Sequence, residues 1–237
     1  MRVAVVTGAS SGIGAALCLE LRSRNWHVVG LSRRSASAPD EHEECDVGDR
    51  ASVEAAAARV LQRHPHIDLL VNNAGIPARG DYLTAEPEQI EATIRTNYLG
   101  SVWTTRAFLP GLGDGAAVVN LVSVAGTIAW GPYSASKHAQ LAFSRALAIE
   151  LAPRGVHVLG VLPGFVETPG FPQRERFPFP LRQVVVDPPF VARRILEALE
   201  KKRYEIVVPR WYRPVSLAQA LAPGALTAIR ARFGLRG

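Results

Sequence analysis

A tyrosine and a lysine that could transfer a proton stand four positions apart near the middle of the chain. Tyr133 and Lys137 lie in the stretch PYSASK, and on a helix this spacing places both side chains on one face. A cation beside a phenol favours the phenolate, so we expect Lys137 to lower the pKa of Tyr133. Such a tyrosine can protonate a carbonyl oxygen or deprotonate an alcohol. An isolated pair of this kind is also common on plain protein surfaces.

The start of the chain has a pattern that suits a dinucleotide. Arg2–Thr7 is rich in β-branched residues, as in a buried parallel strand, and leads directly into a glycine-rich turn. The glycines would let the backbone approach a pyrophosphate, whose charge would be met by free N–H groups at the start of a helix predicted over 12–24. A glycine-rich turn without a ligand is the alternative. The predicted contacts come from Gly8, Ser10, Ser11, Gly12, Ile13 and Gly14.

Five motifs occur in a fixed order, and together they resemble the short-chain dehydrogenase/reductase family. They are Thr-Gly-x-x-x-Gly-Ile-Gly from Thr7, Asn-Asn-Ala-Gly from Asn72, then Asn97, Ser123 and the Tyr133/Lys137 pair. The resemblance covers roughly residues 2–170 and is specific for the family and the cofactor class. It says little about the substrate.

The resemblance implies roles for four catalytic residues. Tyr133 would supply the proton, Ser123 would stabilise the carbonyl oxygen, and Lys137 would also bind the nicotinamide ribose. Asn97 resembles the helix residue that holds a water and connects Lys137 to solvent. The cofactor would deliver a hydride to the carbonyl carbon, and the reverse reaction would oxidise an alcohol.

Two segments near the expected substrate pocket stand out. Ser123 precedes Tyr133 by ten positions, fewer than is usual in the family, so we expect a short loop, stiffened by Trp130 and Pro132, and a more open pocket. Residues 165–181 resemble the family's substrate lid, and their aromatic content predicts an apolar substrate or, alternatively, a lid packed on its own protein or a second subunit. This segment contains Phe165, Phe171, Phe177 and Phe179 with Pro169, Pro172, Pro178 and Pro180.

The residues after the second predicted strand indicate the nicotinamide cofactor. Ser32 stands where an acidic residue would hold the ribose hydroxyl of NAD, and Arg33 and Arg34 follow it. A guanidinium fork matches a phosphate, so we predict NADP(H); a merely solvated arginine pair is the alternative. By resemblance Asp46 would bind the adenine amino group. Further implied cofactor contacts are Val47, Asn73, Ala74, Gly75, Pro163, Gly164, Val166 and Thr168.

Length and periodicity predict the scaffold. The 237 residues suit a single domain over 1–237, and strands alternate with helices throughout. This alternation predicts an α/β fold with one doubly wound parallel sheet of Rossmann type and helices on both faces. We expect the acidic segment 41–44 to be solvated. Strands are predicted near 2–7, 27–32, 67–71, 116–123, 155–162 and 204–208, and helices near 12–24, 51–64, 88–109, 132–152 and 188–200.

The composition argues against several other kinds of site. Cys18 and Cys45 cannot form a disulfide framework and have no neighbours at metal-ligand spacing. His64 and His66 flank a proline in a predicted loop, so we expect no metal site. Met1 directly precedes the first strand, and no apolar run approaches the roughly 20 residues of a membrane span. We therefore expect a cytoplasmic protein.

The positive charge is concentrated at the C terminus. Residues 201–237 carry a net charge of +7, whereas the whole chain carries +6. The basic, apolar extension 209–237 contains Trp211, Tyr212 and a helix-prone run, which suits either contact with a membrane surface or lipid-like substrate, or plain packing. We expect no nucleic-acid partner. By resemblance, the chain would form a homodimer or homotetramer.

These observations predict an NADP(H)-dependent oxidoreductase that interconverts a carbonyl and a secondary alcohol on an apolar small molecule. A 3-oxoacyl-thioester reductase is the alternative among enzymes, and a non-catalytic dinucleotide-sensing regulator is the alternative from another class. The complete set of four catalytic residues argues against the regulator, because a sensor needs no proton path.

Overall fold

Seven parallel strands form one sheet in the order β3-β2-β1-β4-β5-β6-β7. The computed structural model describes residues 1–78, 80–129, 131–176, 179 and 181–233. Strand order reverses between β1 and β4, which opens a crevice at the carboxyl ends of these strands. The predicted doubly wound parallel sheet is confirmed. The strands are β1 Arg2–Thr7, β2 Trp26–Ser32, β3 Glu41–Glu44, β4 Leu69–Asn72, β5 Ala117–Leu121, β6 His157–Pro163 and β7 Glu205–Val208.

The helices flank the sheet, and one predicted helix is interrupted. The stretch predicted as a helix over 88–109 consists of α3, a π-helical stretch Arg95–Leu99 and α4. In the described part of the chain, no helix has the length and apolar character needed to cross a membrane. The helices are α1 Gly12–Arg22, α2 Arg50–Arg63, α3 Pro87–Ile94, α4 Gly100–Phe108, α5 Gly131–Leu151, α6 Pro188–Glu200, α7 Arg213–Leu221 and α8 Pro223–Arg232.

Two hydrophobic layers hold the helices against the two faces of the sheet. Successive residues of a strand point to opposite faces, so Val6 packs with Leu17 of α1 and Ile195 of α6, whereas Val5 packs with Val53 of α2. All five side chains are fully buried. Burial of each such side chain stabilises the folded chain by about 1.5–3 kcal/mol relative to leaving it exposed. This packing holds the strands, and with them the strand ends at the candidate site, in place.

The acidic segment expected to be solvated is instead the edge strand β3, which runs parallel to β2. Its glutamates pair with arginines of α2: Arg59 Nε donates to Glu43 Oε1 at 2.6 Å, and Arg63 Nε donates to Glu41 Oε2 at 3.1 Å. Burial raises the pKa of Glu43, but hydrogen bonds from the two arginines outweigh this effect and leave it below its ordinary value. The periodicity rules miss this strand because its stabilising partners lie on a distant helix.

Candidate active site

In the glycine-rich turn after β1, the backbone of Gly14 lies in close contact with the backbone of Gly8. Gly8 and Gly12 have φ angles of +68° and +57°, a left-handed conformation that favours glycine. A Cβ on Gly14 would lie 2.3 Å from the carbonyl oxygen of Gly8. The helix α1 begins at Gly12 after the N-cap Ser11, whose side chain makes no capping hydrogen bond. The N–H groups of the first turn, which includes Ile13, therefore face a cradle that fits a pyrophosphate.

The turn after β4 is tied to the glycine turn by Thr7. The Thr7 hydroxyl oxygen accepts hydrogen bonds from the backbone N–H groups of Asn73 at 2.9 Å and Ala74 at 3.0 Å. The side chain of Asn73 donates to the Thr7 carbonyl at 2.8 Å. Buried Asn72 donates to Asn120 Oδ1 on β5 at 2.9 Å. The carboxyl ends of three neighbouring strands are thus locked together.

Asn97 lies on the π-helical stretch, fully buried, and holds two segments in place. Its Oδ1 accepts the Ile76 N–H at 2.8 Å, and its Nδ2 donates to the Ile76 carbonyl and to Ser136 Oγ, both at 3.0 Å. A Cβ on Gly75 would lie 3.1 Å from Asn97 Oδ1. Since both amide hydrogens are used, this side chain anchors the turn after β4 to the second turn of α5.

Lys137 is buried in α5 and does not act on Tyr133 as its spacing predicted. Its Nζ donates to the Leu121 carbonyl at 2.9 Å and to Gln140 Oε1 at 2.7 Å, and lies 5.9 Å from the centre of the Tyr133 ring. Burial lowers the pKa of Lys137 to about 7. Burial also raises the pKa of Tyr133 to about 12, against a smaller opposing effect of a hydrogen bond with Ser123. The expected lowering is therefore wrong, because desolvation favours the neutral form of both groups.

Gln140 and Ser101 extend the site beyond the predicted residues. Gln140 is fully buried, and its Nε2 donates to Ser101 Oγ at 2.8 Å. Ser101 Oγ donates in turn to the Asn97 carbonyl at 3.3 Å. A chain of hydrogen bonds thus runs from Lys137 to the π-helical stretch. The sequence did contain a signal for this contact, because residues three positions apart on a helix, such as Lys137 and Gln140, are neighbours on its surface.

Ser123 and Tyr133 meet across the short loop, as expected. Ser123 Oγ accepts the Ala125 N–H at 3.1 Å and lies 3.5 Å from the Pro163 carbonyl oxygen. A hydrogen bond links the Ser123 and Tyr133 side chains. Ser134 Oγ bonds to the Ala125 carbonyl and so ties the loop to α5. Pro132 is buried in the first turn of α5, whereas Trp130 lies outside the described residues.

The segment after β6 covers the glycine turn. A Cβ added to Gly12 would lie 3.1 Å from Thr168 Cγ2, so Thr168 stands over the start of α1. Val166 is buried and forms a bridge with Val186. The ring of Tyr212 occupies the space in front of Gly164, where a Cβ would lie 2.2 Å from its Cε2. The C-terminal extension therefore supports this segment directly.

The lid region is only partly described. The backbone N–H groups of Gln173 and Arg174 donate to Glu167 Oε2 at 2.9 and 2.8 Å, which closes a turn after Thr168. Phe165 packs edge-on against Tyr212, with ring centres 6.1 Å apart. Phe171 and Phe179 are exposed. Three further residues singled out in the sequence, Phe177, Pro178 and Pro180, lie outside the described part of the chain.

The end of β2 presents two exposed arginines beside a carboxylate. Ser32 Oγ donates to the Arg34 carbonyl at 2.7 Å, which shapes the turn. Arg33 Nη1 lies 3.8 Å from Asp46 Oδ2, and Asp46 Oδ1 accepts the Gly48 N–H at 2.8 Å. Val47 is buried. The residues predicted to surround an adenosine thus lie together at the carboxyl ends of β2 and β3.

Comparisons with known proteins agree with this geometry. The family model described as short chain dehydrogenase matches residues 2–177. A protein of Streptomyces coelicolor with the provisional name ketoacyl reductase is 36% identical over 186 residues, covering 70% of this chain and 71% of that protein. Dehydrogenase/reductase SDR family member 7B of Bos taurus is 31% identical, covering 97% of this chain and 81% of that protein.

Two solved structures extend the comparison. A short-chain dehydrogenase from Streptomyces avermitilis has a TM-score of 0.80 and 29% identity, and the match covers 98% of this chain and 97% of that one. A short chain dehydrogenase from Burkholderia cenocepacia, in complex with NADP, has a TM-score of 0.76 and 27% identity, covering 87% and 95%.

Proposed function

The chain belongs to the short-chain dehydrogenase family and is an oxidoreductase, and we propose that it uses NADP(H) to interconvert an apolar ketone and a secondary alcohol. One observation carries this proposal. The Ser123 and Tyr133 hydroxyls meet beside Pro163, at the start of the segment that places Thr168 over the glycine turn. A proton donor and a dinucleotide cradle thus share one crevice.

The cradle fits a nicotinamide dinucleotide because it has no room for side chains. A Cβ on Gly8 would approach Asn73 Nδ2 to 2.8 Å, and one on Gly14 would clash with the Gly8 carbonyl. The free N–H groups of α1 would hold the pyrophosphate, and Thr168 with the Pro163 turn would hold the nicotinamide end. When bound, this cofactor supplies a hydride to a carbonyl carbon or takes one from an alcohol.

The protein's own residues supply the proton and the charge stabilisation. With a pKa of about 12, Tyr133 carries its proton throughout the physiological range and suits a general acid. Ser123 would donate a second hydrogen bond to the oxygen on which negative charge develops. The hydrogen bonds from Lys137 to Gln140 and from Gln140 to Ser101 hold the amine beside the site, and Tyr133 would regain its proton from solvent after each reduction.

The preference for NADP(H) over NAD(H) rests on charge. Ser32 ends β2 where NAD-binding proteins use a carboxylate, and exposed Arg33 and Arg34 follow it. Arg33 Nη1 lies 3.8 Å from Asp46 Oδ2, which is a long ion pair. The guanidinium therefore remains available to a ribose 2′-phosphate. The related Burkholderia cenocepacia structure was solved in complex with NADP.

An apolar substrate is favoured by the lid. Phe165, Phe171 and Phe179 belong to the segment that follows Gly164, and Phe179 is 80% exposed. Exposed aromatic side chains in the segment that follows Gly164 along the chain suit a ligand with apolar surface. The ketoacyl reductase name of the Streptomyces coelicolor relative makes a 3-oxoacyl thioester the second candidate substrate.

The basic extension 209–237 contributes to a second surface that could bind a partner. Around a groove of about 890 Å³, between α5, α6, β7 and α7, basic residues outnumber the two acidic residues Glu197 and Glu205. Trp211, Leu221 and Phe233 nearby are more than half exposed. We propose that this surface meets anionic membrane lipid or a second copy of the chain in a homo-oligomer. The basic residues lining the groove are Arg145, Arg194, Lys201, Arg203, Arg210 and Arg213.

The test of the proposed function is loss of NADPH absorbance against a panel of ketones, quinones, steroids and 3-oxoacyl thioesters. Turnover of an apolar ketone supports the main proposal, and turnover restricted to acyl thioesters supports the second candidate. If NADPH binds but no carbonyl in the panel is reduced and no alcohol is oxidised with NADP, the dinucleotide-sensing alternative replaces both. A Tyr133→Phe sample in parallel excludes a contaminating reductase.

A further inference from the structure

Two histidines and a glutamate converge near the amino ends of β2 and β3, whereas the candidate active site lies at the carboxyl ends of the strands. His27 is the second residue of β2, Glu41 is the first residue of β3, and His64 ends α2. Both imidazole Nε2 atoms face one carboxylate oxygen: His27 Nε2 lies 2.7 Å and His64 Nε2 lies 2.8 Å from Glu41 Oε1. The three donor atoms all lie within 4.8 Å of one another.

We propose that His27, Glu41 and His64 bind a divalent transition metal ion, with Zn²⁺ as the best match. Two imidazole nitrogens and one carboxylate oxygen form a donor set that zinc accepts, with water completing a tetrahedron. Magnesium and calcium prefer sites made largely of oxygen ligands and should bind poorly here. The expectation of no metal site considered only neighbours along the chain, whereas these ligands come from three separate elements.

The two distances from the imidazole nitrogens to Glu41 Oε1 need only a small adjustment to take the ion. Zinc–ligand distances of about 2.0–2.1 Å place tetrahedral donors roughly 3.3 Å apart, so each nitrogen would move about half an ångström from Glu41 Oε1. The imidazole rings are 4.9 Å apart at an angle of 41°, so they converge without stacking face to face. Side-chain exposures of 19% for His27, 18% for His64 and 30% for Glu41 leave an entry path.

The supporting contacts hold the ligands in place. Arg63 Nε donates to Glu41 Oε2 at 3.1 Å, which orients the other carboxylate oxygen towards the histidines. The His64 backbone N–H donates to the Val60 carbonyl, so its Cα is fixed to the end of α2.

A bound ion would join β2, β3 and α2, and so strengthen the edge of the sheet. His27 is five residues from Ser32 along β2, roughly 17 Å, so the ion would lie far from the proposed cofactor site. We therefore expect zinc to change stability and leave turnover unchanged. This expectation separates the metal proposal from the proposed enzymatic function, since either can fail while the other holds.

Titration calorimetry of ZnCl₂ into the untagged, chelator-treated full-length chain tests the proposal. We expect one Zn²⁺ per chain, and at least roughly a tenfold weaker affinity in His27→Gln, His64→Gln and Glu41→Gln. Glu41→Gln is the sharpest variant, since its amide oxygen still accepts hydrogen bonds from both imidazoles. The matched controls are His66→Gln, which alters an exposed neighbour of His64, and His42→Gln, whose ring faces Ser32; both should bind zinc normally.

Melting temperature provides the second measurement. Free zinc at about 100 times its Kd should raise the melting temperature of the unmodified chain by roughly 5 °C or more. This rise should vanish in the three ligand variants and should not be produced by MgCl₂. Equal zinc binding by the unmodified chain and the ligand variants, or no zinc binding at all, would overturn the metal site. The three side chains would then only be linked by hydrogen bonds between the histidines and Glu41.

Discussion

The amine of Lys137, one helical turn from the proposed proton donor Tyr133, donates a buried hydrogen bond to Gln140 Oε1 at 2.7 Å. Gln140 passes the connection on to Ser101, so the lysine is held between the active site and the π-helical stretch. Among the described residues, both acceptors of the amine are neutral oxygens, and burial lowers the pKa of Lys137 to about 7. Gln140 is the side-chain acceptor in contact with this amine, so we expect its replacement to change the pKa of Lys137.

Replacing Gln140 should therefore shift the pH dependence of turnover. Gln140→Leu removes one acceptor of the ammonium group, lowers the pKa of Lys137 further and should move the Lys137-dependent limb of the profile to lower pH. Gln140→Glu adds a negative charge beside the amine and should move the same limb to higher pH. The measurement is kcat/KM against pH. Two variants that lose activity equally at every pH would show that Gln140 only supports the packing.

Tyr133→Phe should lower turnover by roughly a thousandfold or more, because it removes the hydroxyl of the proposed proton donor. NADPH affinity, followed by fluorescence titration, should be almost unchanged. The control is Tyr82→Phe, which removes the hydroxyl of a tyrosine that is 58% exposed. Retention of most activity by the Tyr133 variant would require another proton donor.

Stability should rise with pH between about 7 and 9 through Lys137. Its pKa of about 7 in the folded chain lies below the ordinary 10.5, so in this range the unfolded chain binds more protons and the penalty for burying the charge disappears as pH rises. The slope approaches about 1.4 kcal/mol per pH unit. Above pH 9 the buried thiols Cys18 and Cys45, whose pKa values are raised by burial, act in the opposite direction.

Urea denaturation at pH 7.0 and 9.0 measures this effect in the unmodified chain and in Lys137→Met. The difference between the two proteins isolates the lysine from all other titrating groups. An equal change of unfolding free energy with pH in both proteins would mean that the amine of Lys137 is solvated and has an ordinary pKa.

Arg33→Ala combined with Arg34→Ala should weaken NADPH binding by about 1.5–3 kcal/mol for each lost charge-assisted contact and leave NADH binding nearly unchanged. The reason is that only NADPH carries the 2′-phosphate. Arg50→Ala, at the start of α2, serves as a control for loss of surface charge. Tighter binding of NADH than of NADPH by the unmodified chain would overturn the assignment of the cofactor.

The basic extension should bind anionic vesicles in a salt-sensitive manner, since surface attraction is worth about 1 kcal/mol per basic residue and is screened by salt. Trp211→Ser with Leu221→Ser should weaken co-sedimentation, whereas Leu19→Ser on α1 should not. These positions are chosen because truncation would also remove Tyr212, whose ring packs on Gly164. Absence of salt-sensitive binding by the unmodified chain would leave packing and subunit contact as the roles of this segment.

The family, the fold class and the kinds of residue in the candidate site could all be predicted from the order of the amino acids. Local rules were sufficient, because a glycine-rich turn between a strand and a helix is dictated by neighbouring residues. The alternation of strand and helix predicted the doubly wound sheet in the same way. The separation of Tyr133 and Lys137 by four positions likewise predicted a shared helix face, and α5 contains both.

The directions of the polar side chains and their surroundings became known from the folded structure. The spacing of Lys137 suggested action on Tyr133, but desolvation by distant segments reversed the expected change in pKa. The charged strand β3 pairs with residues of β2 that lie 12 positions earlier, and Glu41 meets His27 and His64, which lie 14 positions before and 23 positions after it. Burial and long-range pairing are properties of the packed chain, and a pattern of neighbouring residues does not contain them.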